Sequence, residues 1–134
     1  MRNTQSTLLY HWFEEVWNRD NEDAIEKLMT ETAEIHGIET EDNAKGASGF
    51  KVFFRAFSTN FKNIKIDVED VVSQDDMESA RTVIHAIHAE TGKAVTFPGI
   101  CMVRVEGGKI AEAWNSYDFL SLHFQLGQRL VANE

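Results

Sequence analysis

A chain of 134 residues, 43% hydrophobic and 26% charged, is sized for one folded domain around a single core. Its 13 basic residues stand against 22 acidic ones for a net charge of −9, which works against nucleic acid or an anionic membrane surface as partner. Cys101 is the lone cysteine, and the sequence carries neither an N-terminal apolar leader nor an 18-residue apolar run, so an intrachain disulfide is excluded and a cytoplasmic protein is expected.

In chain order, Leu8, Leu9, Trp12, Phe13, Val16 and Trp17 recur at helical spacing and predict a first helix over about Thr4 to Asn18. Asn18-Arg19-Asp20-Asn21 breaks it and offers caps for a second helix, Glu22 to Met29, that buries Ala24, Ile25 and Leu28. Glu34-Ile35-His36-Gly37 reads as a short strand and Glu39 to Lys45 as a polar loop. Ser48 is a candidate N-cap for a third helix reaching Phe61. Its Phe50, Phe53, Phe54, Phe57 and Phe61 line one face, as core and as the ceiling of any cavity beneath.

Strand-like runs follow. Ile64, Ile66, Val68 and Val72 alternate with polar residues, Arg81 to Ala89 is rich in strand formers, and Val95 to Val105 pairs with Ile110 to Asp118 through Gly107-Gly108. A closing apolar segment runs from Phe119 to Leu126. Helices early and long antiparallel strands late describe an α+β domain with helices on one side of a curved sheet.

Asp118 carries the main chemical expectation. It lies four residues after Trp114 on one strand and therefore on the same face. If that face lines a cavity, the carboxylate becomes an acid or base in apolar surroundings; the competing role is to cap the Phe119 to Leu126 segment. His85 and His88 have opposite parity, so one of them faces inward, and a bulge would exchange them. Arg81 and Arg104 sit in apolar strands, either paired with a carboxylate such as Glu112 or holding an enolate. His-x-His, Cys-x-x-Cys and His-Glu-x-x-His spacings are missing, as are the Gly-x-Ser-x-Gly, Gly-x-Gly-x-x-Gly and P-loop motifs. No metal and no cofactor are expected.

Gly92-Lys93-Ala94-Val95, Gly107-Gly108-Lys109-Ile110-Ala111-Glu112-Ala113-Trp114, Asp118 and Gln125-Leu126-Gly127 together resemble the signature of SnoaL-like polyketide cyclases in the NTF2-like superfamily. Val16-Trp17-Asn18-Arg19-Asp20, Ile35-His36-Gly37, Gly46, Gly49-Phe50, the run Asp67 to Val72 and Arg81 extend the likeness over nearly the whole chain. The sequence departs from it at Ala86-Ile87-His88, where the family's Gly-Thr-His-x-Gly would stand, and at Arg104, where related cyclases place a His facing their Asp.

The resemblance implies a single NTF2-like cone over 1–134, a curved antiparallel sheet with about three helices on its concave side. It also implies a cofactor-free enzyme acting on a small hydrophobic, polyketide- or terpenoid-like molecule by cyclisation or isomerisation. Asp118 would move the proton with His88 or His36, and Trp12, Phe53, Phe57, Trp114, Arg81 and Arg104 would contact the ligand. A homodimer paired through convex sheet faces is expected. The alternative is a ligand-binding or dimerisation module without catalysis.

Overall fold

The computed structural model describes residues 6–38 and 45–132; the expected loop before Lys45 and the start of the first helix lie outside them. Helix α1 (Leu8–Trp12) begins at Thr7, whose hydroxyl accepts from the Tyr10 N–H. The Glu78 carboxylate, far away in sequence, accepts from the Leu8 and Leu9 N–H groups at 3.2 and 2.8 Å. That places a negative charge on the positive end of the helix. The helix continues as a π-helical turn, Phe13–Asn18, followed by α2 (Asp23–Leu28) and α3 (Gly46–Asn60). Lys45, not Ser48, precedes α3 as its cap residue; the Ser48 hydroxyl instead donates to the Glu31 carboxylate at 3.1 Å.

Five strands form one sheet: β1 (Met29–His36), β2 (Phe61–Gln74), β3 (Met77–His88), β4 (Ala94–Glu106) and β5 (Lys109–Tyr117), in the order β1-β5-β4-β3-β2. Four pair antiparallel, but β1 joins β5 parallel, so the sheet is mixed rather than wholly antiparallel. β1 also starts five residues earlier than expected. Its register shifts between Met29 and Glu34, and that irregularity breaks the alternation that would reveal it in the sequence. Helix α4 (Phe119–Gln125) closes the fold.

Gly107 and Gly108 form the β4–β5 turn with φ of 60° and 77°, the left-handed pair that matches strand twist in a two-residue hairpin. A bulge then follows: Glu106 pairs with Lys109 and Val105 with Ile110, but Arg104 pairs with Glu112, leaving Ala111 without an opposite number. A one-residue slip sends every later side chain to the other face. Without it Cys101 would oppose Trp114; with it Cys101 opposes Asn115, and Met102 opposes Trp114.

The inner face therefore carries Ala80, Thr82, Ile84 and Ala86 of β3 and Val95, Phe97, Cys101 and Val103 of β4, all buried. These pack with Leu9, Phe13, Val16 and Ile25 of the helices into one core. The outer face carries Ile100, Met102 and Trp114, 53%, 44% and 37% exposed.

Candidate functional site

A concavity opens between the helices and the inner sheet face. Its enclosed interior measures about 40 Å³. Its helical wall begins at the π turn, where bonds such as Arg19 N–H to Glu14 O close over five residues. That winding brings residues five apart toward one side, and Trp12 and Trp17 both line the cavity.

Helix α3 contributes Phe50, Phe53 and Phe57. Trp17 packs on this stripe with ring centroids 4.9 Å from Phe54 and 5.7 Å from Phe57, while Trp12 lies 4.9 Å from Phe50. The sheet supplies Ile64, Ile66, Ile84 and Phe97. Asn18 fixes the π turn to the β2 edge by copying a strand partner: its Oδ1 accepts from the Ile66 N–H at 2.6 Å and its Nδ2 donates to the Ile66 carbonyl at 2.9 Å.

Two polar side chains complete the lining, Asn115 and Tyr117, both of β5. Asn115 Nδ2 donates to the His36 carbonyl at 2.9 Å. The Tyr117 ring lies over Gly99 of β4, its register partner; a Cβ at Gly99 would come within 2.0 Å of the Tyr117 ring. Burial, with Cys101 as a lesser cause, pushes the Tyr117 hydroxyl well above the usual tyrosine range. It therefore remains a neutral donor. Cys101 beneath it is pushed up to about 12 by burial, which leaves an inert thiol. Among the described residues, no carboxylate or imidazole lines this cavity.

The placement expected for Asp118 is corrected. The bulge turns Trp114 and Ser116 outward and Asn115 and Tyr117 inward, and Asp118 lies beyond the strand as the N-cap of α4, its Oδ1 accepting from the Ser121 N–H at 2.9 Å. Asp118 is exposed and is not part of the cavity wall. His36 also lies outside the cone: its ring stacks on Trp114 at 5.7 Å and its Nε2 is 2.9 Å from Glu112 Oε2. Register explains it, since β1 pairs His36 with Trp114 and Glu34 with Glu112.

His88 has the inward parity of Ala86 and Ile84. At the end of β3, however, it meets Thr91 Oγ1 at 2.9 Å and the Phe61 ring at 5.4 Å, away from the cavity lining. His85 faces outward, 3.0 Å from Asp67. Arg81 pairs with Asp70 at 2.6 Å, and Arg104 with Glu106 at 3.1 Å and Glu112 at 3.9 Å. Both arginines take the ion-pair role rather than the ligand role, and neither lines the cavity. Of the expected ligand contacts, Trp12, Phe53 and Phe57 line it and Trp114 does not.

On the outer face Glu34, His36 and Glu112 bring one ligand atom each within 4.8 Å of one another. Lys45, 3.6 Å from Glu34, and Arg104 already balance their charge, which disfavours a cation there.

Sequence reasoning missed Asn115, Tyr117 and Trp17. The glycine in mid-strand at Gly99 was the available signal, because such a glycine marks a close approach by another group.

The chain belongs to the SnoaL-like polyketide cyclase family, whose sequence profile matches residues 7–126. A comparison with curated proteins gives no match. Among solved structures, a candidate polyketide cyclase from Bacillus cereus is similar at a TM-score of 0.80 and 27% identity, over 92% of this chain and 80% of that one. TsrD from Streptomyces laurentii is similar at a TM-score of 0.81 and 19% identity, over 95% and 97% of the two chains. IdmH from Streptomyces antibioticus, described as a candidate polyketide cyclase, is similar at 0.79 and 21%, over 93% and 99%. The last two establish a shared NTF2-like fold. No helix among the described residues is long and apolar enough to cross a membrane.

Proposed function

We propose that the concave pocket takes one flat hydrophobic molecule, polyketide- or terpenoid-like, and that the chain acts on it as a cyclase or isomerase. The observation that carries this reading is the aromatic wall of Trp12, Trp17, Phe50, Phe53 and Phe57 facing an apolar sheet. Family membership and the Bacillus cereus neighbour support it. The open interior admits only a few waters as it stands, so a ligand enters as the half-buried rings of Phe53 and Phe57 move aside.

Within this reading Asp118 acts from the rim. It stands between the lining residues Tyr117 and Phe119, and its Oδ2 is outside the cap. A second reading, binding without catalysis, is favoured by the neutral lining of the cavity. Asp118→Asn keeps a capping oxygen and removes the titrating group. Turnover of an identified substrate falls by about 10²-fold under the first reading and is unchanged under the second.

Trp12 and Trp17 report on the pocket and Trp114 does not, so Trp114→Phe protein isolates the signal. Titration with the bicyclic hydrocarbon tetralin should shift its emission saturably. A linear response up to the solubility limit sinks the small-molecule reading.

Homodimerisation belongs to the same proposal. Val72, Ile100, Met102 and Trp114 leave an apolar stripe on the outer face, flanked by Arg81 with Asp70 and Arg104 with Glu112. A face bearing both charges can meet its own copy about a twofold axis. Light scattering at micromolar concentration should give twice the 15.3 kDa chain mass, and a monomer there rules the dimer out.

A further inference from the structure

We infer that the pocket recognises an oxygenated ligand through Asn115 and Tyr117, with Tyr117 donating to a ligand carbonyl or enol oxygen and Asn115 accepting from a ligand hydroxyl; this rests on the small-molecule reading above and names the chemistry that the pocket selects. Apart from the donor-only indoles of Trp12 and Trp17, these are the two side chains of the wall that bring hydrogen-bonding groups. Neither is used up by the protein. The Tyr117 hydroxyl has no protein partner among the described residues, and the one bond of the Asn115 side chain is from Nδ2 to the His36 carbonyl, which leaves Oδ1 as a free acceptor. The Tyr117 hydroxyl is not among the sealed-off polar atoms, so it keeps accessible surface, and a ligand oxygen can meet it there.

Three features hold the pair ready. The Nδ2 bond to the His36 carbonyl fixes the Asn115 amide. Gly99 lacks a side chain in the middle of β4, where a Cβ would collide with the Tyr117 ring. Burial keeps the Tyr117 hydroxyl protonated, so it donates across the working pH range and does not serve as a base. Residues two apart on one strand are about 7 Å apart. The ligand's two oxygens therefore lie along one edge of a fused ring system, with its apolar faces toward Trp17, Phe53 and Phe57.

The test uses three probes with one skeleton, tetralin, α-tetralone and α-tetralol, titrated calorimetrically into wild type, Tyr117→Phe and Asn115→Leu. Wild type should bind the ketone and the alcohol about tenfold more tightly than the hydrocarbon, the scale of a buried hydrogen bond left unmade. Tyr117→Phe, which keeps ring and packing, should erase the ketone's advantage and leave tetralin affinity unchanged. Asn115→Leu should erase the alcohol's advantage and spare the ketone's. Equal binding of all three probes to wild type overturns the polar anchor while leaving the apolar pocket standing. Preferences that survive both substitutions do the same. Binding of no probe removes the pocket reading and the anchor with it. Circular dichroism of each variant, matched to wild type, ties a lost preference to the missing group rather than to misfolding.

Discussion

The two faces of the one sheet hold different chemistry although they are woven from the same strands. Where it lines the cavity, the inner face presents apolar side chains and two neutral polar groups, Asn115 and Tyr117. The outer face carries most of the charged pairs of the strands: His36 with Glu112, His85 with Asp67, Arg81 with Asp70 and Arg104 with Glu106. Glu78 and His88, of inward parity, stand at the two ends of β3, where Glu78 caps α1. Desolvation accounts for the division. A charge on the inner face would lose its water against Phe97 and Ile84, whereas on the outer face it keeps water and gains a partner across the ladder. In the middle of this sheet charged residues mark the outer face, and candidate chemistry within the cavity has to be sought among neutral donors and acceptors.

The comparison breaks most visibly if the two faces do not differ in stability. Phe97, 2% exposed, fills the inner face, and Phe97→Ala should cost about 3–5 kcal/mol. Ile100 is on the same strand at the opposite parity, and Ile100→Ala should cost less than about 0.5 kcal/mol in a monomer, as exposed substitutions do. Urea denaturation measures both. A large Ile100 cost that grows with protein concentration would show that a second chain covers the outer face.

Much of the fold was legible because its signals are local. The Phe50 to Phe61 stripe, the Gly107-Gly108 turn and the alternation of β3 and β4 each declare a period within a few residues. The facing of β5 was not, although its limits were read to within a residue. The deciding feature is the unpaired Ala111, and the sequence Ala111-Glu112-Ala113 carries no mark of a bulge, since alanine suits either face. From that one residue follow the outward turn of Trp114, the inward turn of Tyr117 and the displacement of Asp118 to a helix cap. His36 was misread for the same reason, because its face is set by pairing with Trp114 across a parallel contact that no local pattern announces.

Asp118 gives a middle-sized effect that sharpens the boundary between the faces. As the cap of α4 it should lose about 1 kcal/mol on replacement by Ala and little on replacement by Asn, which caps equally well. Thermal unfolding of both variants reads this directly. Equal losses in the two would mean that the carboxylate charge, rather than its capping oxygen, supports the closing helix, and would return Asp118 to the electrostatics of the pocket mouth.

The smallest expected effect separates the faces by pH. The Asp67 carboxyl is held below the usual aspartate range, first by its hydrogen bond with His85 and then by Lys65. A carboxylate whose folded pKa is depressed adds stability that is present above its unfolded value near 3.9 and is lost as pH falls through the folded value. Asp67 and His85 are each 43% exposed, so solvent screening limits the gain to about 0.5 kcal/mol. Asp67→Asn should therefore be slightly less stable than wild type at pH 7 and match it near pH 3, measured by urea denaturation at both. A deficit of equal size at the two pH values would trace to packing and not to charge. The cavity lining should add no acid-dependent step of its own, because Asn115 does not titrate and the raised pKa of Tyr117 keeps it neutral until well into the alkaline range. Pocket affinity for tetralin should accordingly stay flat while the Asp67 contribution disappears.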